Sequence, residues 1–232
     1  MIPCYGGAMR RALVVLFLVS CGPGTPKPEP APAHGGHHGA MHHRFDDPAA
    51  WSLVFDDPAR DAWQRPADVV VAMRITSGMT VADLGAGTGY FLSHLSGAVG
   101  PSGKVLALDV EPKLVAHMKE RAAKAGWSNV EAREIPTDDP KLADGSVDRI
   151  LVVDTWHHVE NRKAYAAKLW RALRPGGAVF VVDFTPTTDK GPPKAHRLSP
   201  EQVIGELTAG GLSAKVVPVG LPDQYVVEGA RP

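Results

Sequence analysis

Apolar positions divide the chain into three stretches with different patterns. Ala12 to Val19 is an unbroken apolar run, residues 22–43 contain no aromatic or branched aliphatic side chain, and residues 44–232 carry apolar positions at regular spacings. A segment without such side chains cannot bury enough apolar surface to offset the entropy that it loses on ordering. We therefore predict one folded domain, residues 44–232, preceded by segments that do not join its core.

A repeated tetrapeptide marks the start of this domain. Phe45-Asp46-Asp47-Pro48 recurs ten residues later as Phe55-Asp56-Asp57-Pro58. In each copy the second Asp suits an N-cap and the proline suits the first helical position, so we predict short helices and interpret the acidic pairs as caps rather than metal ligands. A longer helix is predicted from Pro66 through Ile75, with an apolar face formed by Val69, Val70 and Met73.

From Gly78 onward, short apolar strands alternate with segments of helical spacing, which is typical of a doubly wound parallel sheet. The predicted strands are 80–84, 105–109, a segment near 130, 147–153, 178–184, 213–219 and 224–229. The predicted helices include Phe91 to Val99, a segment ending at Gly126, Tyr165 to Leu173, and one that begins with the capping box Ser199-Pro200-Glu201-Gln202. The connection between the last two strands is too short for a parallel crossover, so these strands should form an antiparallel hairpin.

Candidate chemistry follows the first and second strands. Asp83-Leu84-Gly85-Ala86-Gly87-Thr88-Gly89 places three glycines between a strand and a helix, where the backbone can turn tightly and approach a ligand closely. Asp109 ends the second strand, 20 residues beyond Gly89. A carboxylate in that place can accept hydrogen bonds from both hydroxyl groups of a ribose, so the pattern indicates a nucleoside-cofactor site.

The spacing of the glycines distinguishes two cofactors. A dinucleotide-binding loop requires G-x-G-x-x-G, but this chain has Tyr90 in the last position and glycine at 89. The spacing G-x-G-x-G after Asp83, together with Asp144-Gly145-Ser146-Val147-Asp148 and Leu173-Arg174-Pro175-Gly176-Gly177, resembles the class I S-adenosylmethionine-dependent methyltransferases. The resemblance covers about residues 65–230 and implies an α/β, Rossmann-like sheet of seven strands with a C-terminal antiparallel hairpin.

The same resemblance implies roles for individual residues. The methionine and adenosine portions of the cofactor are expected at Asp83 and at the backbone of Gly85, Gly87 and Gly89, and the ribose at Asp109. Asp138 is the candidate for the adenine amino group, with Glu134 and Asp139 as alternatives. Asp154 is expected to face the methionine end or the substrate. The alternative for Asp83, Asp138 and Asp139 is that they cap loops or turns.

Asp154-Thr155-Trp156-His157-His158 is expected at the mouth of the pocket. Histidine can act as a general base near neutral pH, so His157 is the catalytic candidate, although a neutral ring that only holds the loop fits the sequence equally well. Trp156 and His196 are candidates for the acceptor pocket or for ordinary packing. The Asn-Pro-Pro-Tyr motif of methylases that modify amino groups in nucleic acids and proteins does not occur. A small-molecule acceptor is therefore expected.

Charge and cysteine content exclude other classes of protein. The 25 basic and 25 acidic side chains balance, whereas a general nucleic-acid binder usually carries a basic excess. The two cysteines, Cys4 and Cys21, are too few for a disulfide framework or a cysteine-rich zinc site. No nucleic-acid partner is expected, and the oligomeric state is not indicated.

The N-terminal pattern indicates export. Met9-Arg10-Arg11, the apolar run and Leu18-Val19-Ser20-Cys21 resemble a bacterial lipoprotein signal, with residues 1–20 as signal peptide, Cys21 as the lipidated residue and 21–43 as a tether. The five tether histidines could bind a transition metal, although their spacing matches no rigid site. A chance apolar N-terminus, or a cytoplasmic product starting near Met41, are the alternatives.

These observations predict a methyltransferase that uses S-adenosylmethionine, acts on a small molecule and is anchored in the cell envelope facing the periplasm. The cofactor is made in the cytosol, so an exported location requires a route for its supply. The alternative is a noncatalytic envelope lipoprotein with the same fold that binds a nucleoside or a metal. An oxidoreductase that uses NAD is disfavoured by Tyr90.

Overall fold

The structure is a computed structural model that describes residues 47–232. The expectations for the signal peptide, for Cys21 and for the histidine-containing tether lie outside the described residues. The helices are α1 (Pro48–Phe55), α2 (Asp61–Gln64), α3 (Pro66–Ala72), α4 (Leu92–Val99), α5 (Pro112–Ala125), α6 (Arg162–Ala172) and α7 (Pro200–Ala209). The strands are β1 (Thr80–Leu84), β2 (Lys104–Asp109), β3 (Val130–Glu134), β4 (Val147–Val153), β5 (Leu173–Phe184), β6 (Ser213–Val216) and β7 (Gln224–Ala230).

The seven strands form one sheet in the order β3-β2-β1-β4-β5-β7-β6. β1 pairs in parallel with β2 on one side and with β4 on the other, and β7 pairs antiparallel with both β5 and β6. This confirms the predicted α/β fold with its closing antiparallel hairpin. Because the chain winds away from β1 in both directions, the carboxyl ends of β1 and β4 flank the point where ligands bind in such sheets.

Both faces of the sheet are buried, so the central strands are continuous apolar runs rather than alternating ones. On β4, Ile150 and Val152 belong to the hydrophobic cluster beneath α6 and α7, whereas Leu151 and Val153 belong to the cluster on the other face. That second cluster contains buried side chains of α3, α4 and α5. The two layers of helices hold the carboxyl ends of the strands in a fixed arrangement.

Local signals place several element ends where the sequence predicts them. The backbone N–H of Gln202 donates to Ser199 Oγ, and the N–H of Ser199 donates to Gln202 Oε1 over 2.7 Å, which completes the predicted capping box of α7. Asp57 caps the 3₁₀ turn at Pro58–Arg60 through the N–H of Ala59. The predicted helix starts at Pro48 and Pro66 are confirmed.

Several predicted boundaries differ from the structure, and the largest differences concern α3, β5 and β6. α3 ends at Ala72 rather than Ile75, because Arg74 adopts a left-handed conformation with φ of 52° and forms an ion pair with Glu228. Leu173 has extended φ and ψ and begins β5, although its spacing matches the buried face of α6. β6 ends at Val216 instead of residue 219.

Among residues 47–232, no helix combines the length and the apolar content needed to cross a bilayer.

Candidate cofactor-binding site

The glycine loop leaves β1 through three residues with positive φ. Gly85, Gly87 and Gly89 have φ values of 72°, 58° and 84°, which side chains with a Cβ rarely adopt. A Cβ at Gly85 would lie 2.4 Å from Thr155, whereas a Cβ at Gly87 would meet no described atom within 4 Å. The loop is therefore fixed against the end of β4 at Gly85 and faces open space at Gly87.

Asp109 connects this loop to the end of β2. Its Oδ2 accepts a hydrogen bond from the N–H of Gly87 over 2.8 Å, and its Oδ1 accepts one from the N–H of Glu111 over 3.0 Å. A carboxylate has about four acceptor positions, so both oxygens keep capacity for hydroxyl donors. Burial raises the pKa of Asp109, and the hydrogen bonds from Glu111 and Gly87 oppose that rise.

Two more carboxyl groups lie at the same edge of the sheet. Burial, and then the neighbouring Asp109 carboxylate, raise the pKa of Asp83 to about 7, and only 3% of Asp83 is exposed. Burial and the Asp183 carboxylate raise the pKa of Asp154 to about 7. Arg60 lowers both values. The edge therefore holds an excess of acidic groups and favours a ligand that carries positive charge or hydroxyl donors.

A short N-terminal segment, residues 48–64, contacts the glycine loop. Asp56 accepts hydrogen bonds from the Thr88 hydroxyl over 3.0 Å and from Arg121 over 2.8 Å, and the Tyr90 hydroxyl donates to Asp61. The guanidinium of Arg60 stacks on the Tyr90 ring at 4.1 Å. Asp56, the first Asp of its repeat, therefore holds the loop, whereas the second, Asp57, forms the predicted cap.

A chain of buried amides joins this segment to the end of β4. Gln64 Nε2 donates to Gln224 Oε1, and Gln224 Nε2 donates to Asp154 Oδ1, each over 2.6 Å. Gln224 begins β7, whose first residues lie beside the carboxyl end of β5 because the two strands are antiparallel. The network fixes Asp154, whose φ is 51°, just beyond the carboxyl end of β4, and its role toward the cofactor or substrate stays a prediction.

His157 is held by a carboxylate that the sequence reasoning missed. Its Nδ1 lies 2.9 Å from Asp183 Oδ2 and 3.1 Å from Oδ1, and the side chains of His157 and Asp183 are only 5% and 1% exposed. An ionised carboxylate only accepts hydrogen bonds, so this contact places the proton of a neutral ring on Nδ1 and leaves Nε2 as the basic nitrogen. The contact orients His157 and allows it to act as a base.

The three candidates for the adenine contact lie at the end of β3 and in the loop after it. Asp138 and Glu134 are exposed, and the Asp138 carbonyl accepts a hydrogen bond from Lys168. Asp139 accepts from the N–H of Lys141 and forms ion pairs with Lys141 and Lys168, and the hydrogen bond from Lys141 lowers the pKa of Asp139. Asp139 therefore caps a turn, and the role of Asp138 stays a prediction.

Trp156 and His196 lie in contrasting surroundings. Trp156 is fully buried in the cluster beneath α6 and α7, and its indole N–H donates to Glu206 over 2.9 Å. His196 is exposed on a 3₁₀ turn at Lys194–His196. Trp156 thus packs in the core, which is the second of the two interpretations offered by the sequence.

Two shallow cavities of about 300 and 250 Å³ lie away from the glycine loop. The larger lies between α5 and β3, and the smaller is lined by residues such as Thr80 and Lys104 at the amino ends of β1 and β2. In the described part of the chain, no group of three His, Cys, Asp or Glu side chains is arranged to hold a metal ion. The candidate cofactor site at the glycine loop is therefore identified by its hydrogen-bonding and charged groups, and not by either of these two cavities.

Only one of the residues missed by sequence reasoning carries a local signal. Asp183 is a charged residue inside the apolar run of β5, and a buried charge in such a run indicates a functional or paired group. Arg60, Gln64 and Gln224 lie in ordinary polar surroundings in the sequence. Tertiary contacts bring them to the site, so the local pattern gives no indication of their role.

The residues at this edge fit S-adenosylmethionine. The cofactor offers two ribose hydroxyls, an ammonium group and a sulfonium, and the edge offers the acceptors Asp109, Asp83 and Asp154 beside a glycine turn that leaves open space at Gly87. A doubly wound sheet with this site at its switch point defines an α/β nucleoside-binding protein of the class I methyltransferase type.

Comparison with known proteins identifies the family. A family model for a methyltransferase domain matches residues 81–177. The crystal structure of a methyltransferase that depends on S-adenosylmethionine, from Aquifex aeolicus, is 31% identical with a TM-score of 0.74, and the match covers 80% of this chain and 99% of that one. The chain belongs to the S-adenosylmethionine-dependent methyltransferase family.

Two curated relatives share part of their length with this chain. The arsenite methyltransferase of Halobacterium salinarum is 30% identical over 128 residues, which are 55% of this chain and 32% of that protein. A ubiquinone/menaquinone biosynthesis C-methyltransferase of Pseudomonas putida is 26% identical over 123 residues, which are 53% of this chain and 48% of that protein. This chain therefore spans about a third to a half of these relatives.

Proposed function

We propose that this protein transfers a methyl group from S-adenosylmethionine to a small-molecule acceptor. The observation that carries the proposal is the Asp109 carboxylate, which binds the N–H of Gly87 in the glycine loop and still has acceptor capacity for ribose hydroxyls. When bound, the cofactor supplies an electrophilic methyl group on a sulfonium. The chain's own residues need only position the acceptor and, where required, remove its proton.

Two observations support a small-molecule acceptor: the balanced charge of the chain and the names of its curated relatives. The balanced charge of the chain disfavours nucleic acid. The two curated relatives are named for arsenite and for ubiquinone/menaquinone biosynthesis, which are small-molecule substrates and pathways.

His157 is the proposed general base for acceptors that must lose a proton. Asp183 holds Nδ1, so Nε2 is the ring nitrogen that would take the proton from the acceptor. Replacing His157 by Gln, or Asp183 by Asn, should lower the turnover number by about a hundredfold or more and leave cofactor affinity within about twofold. Turnover that survives both changes across the pH range would show that the acceptor needs no base.

Calorimetric titration of the purified full chain tests the cofactor site. S-adenosylmethionine and S-adenosylhomocysteine should bind with micromolar dissociation constants, and Asp109→Ala should weaken binding by at least about tenfold through the loss of charged hydrogen bonds. Asp148→Ala is the matched control, because Asp148 accepts the N–H of Thr80 at the opposite edge of the sheet. Thermal unfolding of each variant verifies folding.

The outcomes distinguish the two candidate functions. Binding followed by transfer of a labelled methyl group to a small-molecule fraction of a lysate supports the enzyme. Binding of the cofactor without any transfer favours the noncatalytic lipoprotein with a nucleoside site. No binding by a folded chain refutes the methyltransferase proposal and leaves the alternative of a noncatalytic protein that binds another nucleoside or a metal.

We also propose that Cys21 is lipidated and anchors the protein in the cell envelope, with residues 21–43 as tether. The support is the sequence pattern of Met9 to Cys21. The full chain should partition with membranes and Cys21→Ala should not. Recovery of a soluble product that begins near Met41 would contradict export.

A further inference from the structure

Helix α1 presents large apolar side chains to solvent. Leu53 and Val54 are 80% and 55% exposed, and Leu53 has the largest exposed fraction of the large apolar side chains in the described part of the chain. Ser52 is the only polar residue of this helix, and Trp51 stacks on Phe55 with ring centres 5.1 Å apart. Neither hydrophobic cluster of the domain includes Leu53 or Val54. Packing of the core therefore does not account for the apolar surface of α1.

One side of α1 is fixed to α5, and this determines where the exposed side chains point. Ser52 Oγ lies 3.3 Å from Nε2 of His117 on α5. Asp56, which directly follows α1, forms an ion pair with Arg121 of the same helix over 2.8 Å. Residues four apart share a helix face, whereas the two exposed side chains follow Ser52 by about 100° and 200° around the axis. They therefore lie away from the face that contacts α5.

α1 is the first described element after the segment that the sequence analysis interprets as a tether. Residues 22–46 separate Cys21 from the start of the described chain. A polypeptide of that length spans at most about 90 Å, so a lipid on Cys21 would keep α1 within that distance of the bilayer. Of all the described elements, α1 is the nearest to the proposed anchor along the chain.

We propose that α1 lies on the membrane surface and inserts Leu53 and Val54 into the boundary between the headgroups and the acyl chains. This inference rests on the proposed lipid anchor at Cys21 and does not depend on the proposed enzymatic activity. At about 12 Å in length, α1 can lie on a bilayer but cannot cross it. The membrane affinity of a surface helix scales with its buried apolar area, so for this short helix the lipid holds the protein and α1 determines its orientation.

The contact between α1 and the membrane is apolar rather than electrostatic. α1 contains no charged residue. Of the two acidic residues that follow it, Asp56 pairs with Arg121 and Asp57 caps the N–H of Ala59. Electrostatic attraction to anionic lipids requires a basic face, which this helix lacks. Neutral lipids should therefore suffice for docking.

Docking of α1 also orients the cofactor site. The Thr88 hydroxyl donates to Asp56 over 3.0 Å, which joins the end of α1 to the glycine loop. A docked α1 therefore brings the glycine loop near the bilayer. β6 is the edge strand at the other end of the sheet from β3, and the exposed Val216 at its end should stay in water.

Collision measurements on a nitroxide label at position 53 test the proposal. Full-length Leu53→Cys is taken from the membrane fraction of expressing cells, labelled, and reconstituted in phosphatidylcholine vesicles. In the lipidated chain no native cysteine reacts, because Cys4 is removed with the signal peptide and Cys21 is acylated. Oxygen dissolves in acyl chains, so insertion lowers collisions with a water-soluble nickel chelate and raises those with oxygen. Burial against protein lowers both.

Val216→Cys is the matched control, because Val216 is 47% exposed and lies on β6. The label at position 53 should collide with the nickel chelate at least about fivefold less often than the label at position 216, as expected for a side chain below the headgroups. Adding Val54→Asp to the Leu53→Cys chain should return the label to water, because a charged group is costly in the acyl region. Adding Val216→Asp should leave the label inserted.

Each outcome decides the proposal. A label at position 53 that collides with nickel as often as the label at position 216 would overturn the docking of α1 and leave the anchor in place. Fewer collisions with both reagents would identify a protein surface as the occupant and would also overturn it. A wild-type chain that takes up the label at Cys4 or Cys21, or that does not stay with the vesicles, refutes the anchor, and the inference fails with it. These measurements involve no cofactor, so failure of methyl transfer is detected separately.

Discussion

At the scale of single residues, the three glycines of the loop share a backbone conformation but not an environment. Gly85 is pressed against Thr155, and Gly89 would place a Cβ 2.6 Å from Leu92. Gly87 has open space beside it and donates its N–H to Asp109. Steric contact therefore requires glycine at two positions, whereas at Gly87 the requirements are the positive φ and the approach of a ligand.

Substitution by alanine should separate these requirements. Both Gly85→Ala and Gly87→Ala place a Cβ at positive φ, which costs about 1 to 2 kcal/mol. Gly85→Ala should lose about 1 to 3 kcal/mol more, because its Cβ overlaps Thr155. Urea unfolding measures the difference. Gly87→Ala should be the more stable variant yet bind S-adenosylhomocysteine at least tenfold more weakly than the wild-type chain, and equal stability of the two variants would contradict this.

Asp83 should make the stability of the free chain depend on pH. Burial and Asp109 raise its pKa to about 7, whereas in the unfolded chain it titrates near 3.8. Between about pH 4 and pH 7 the native state binds more protons than the unfolded state, so the free energy of unfolding decreases as the pH rises through this window. Each unit of pKa difference corresponds to about 1.4 kcal/mol.

The variant Asp83→Asn has no carboxyl group to titrate and should lack this dependence. Relative to the wild-type chain, it should be more stable at pH 8 than at pH 5, as measured by urea unfolding at both values. Effects of the substitution that do not involve a proton cancel in this comparison. A stability difference that is the same at both pH values would show that Asp83 is ionised throughout.

At the scale of elements, the N-terminal segment is coupled to the cofactor loop and to α5. Asp56 receives hydrogen bonds from Thr88 of the loop and from Arg121 of α5, and Arg121 also donates to the carbonyl of Thr88. These three residues form a closed set of contacts between three elements. Movement of residues 48–64 is therefore expected to disturb the loop.

Asp56→Ala should loosen this connection. Removing the carboxylate leaves Arg121 and Thr88 without their shared partner, at a cost of about 1 to 3 kcal/mol. Hydrogen exchange of residues 48–64 should become faster, and S-adenosylhomocysteine should bind more weakly. Asp57→Ala, which removes only the cap on Ala59, should leave binding unchanged. Equal effects of the two variants would show that cofactor binding depends on the helical structure of residues 48–64 and not on the contacts of Asp56 with Thr88 and Arg121.

The sequence predicted those elements whose signals are local. Pro66 and the capping box at Ser199 determine helix starts through short-range hydrogen bonds and a fixed φ, and both were predicted correctly. The predicted end of α3 was wrong because Arg74 forms an ion pair with Glu228 on β7, which is far away in the sequence. The glycine loop and Asp109 also carry local signals, because the loop follows β1 directly and Asp109 is the last residue of β2. Arg60 has no such signal, since only tertiary contacts bring it to the site.

At the scale of the whole molecule, the candidate functional groups and the residues that stabilise the fold lie in different parts of the sheet. The carboxyl edge holds the acidic groups and His157, while the cluster beneath α6 and α7 holds Trp156, whose N–H binds Glu206. Glu206 also accepts a hydrogen bond from Arg162 at the start of α6. Trp156 thus joins the segment that carries His157 to both helices of this layer.

Trp156→Phe should therefore reduce stability without altering cofactor affinity. The variant loses a hydrogen bond to a charged acceptor, worth about 1.5 to 3 kcal/mol, together with part of the packed ring. Trp170→Phe is the control, because Trp170 is only half-buried and stacks on Arg231. Thermal unfolding and calorimetry measure the two quantities. A large loss of cofactor affinity in Trp156→Phe would contradict a purely supporting role.

The contact between Gln64 and Gln224 spans 160 residues of sequence, and Gln224 also holds Asp154. Translation proceeds at about 5 to 20 residues per second, so roughly 8 to 30 seconds separate the synthesis of these two amides. A nascent chain lacks the group that holds Asp154 until β7 has been synthesised. The complete pocket can therefore form only after nearly the whole chain has been synthesised. A chain that crossed a membrane before β7 had folded would have to bind its ligand after translocation.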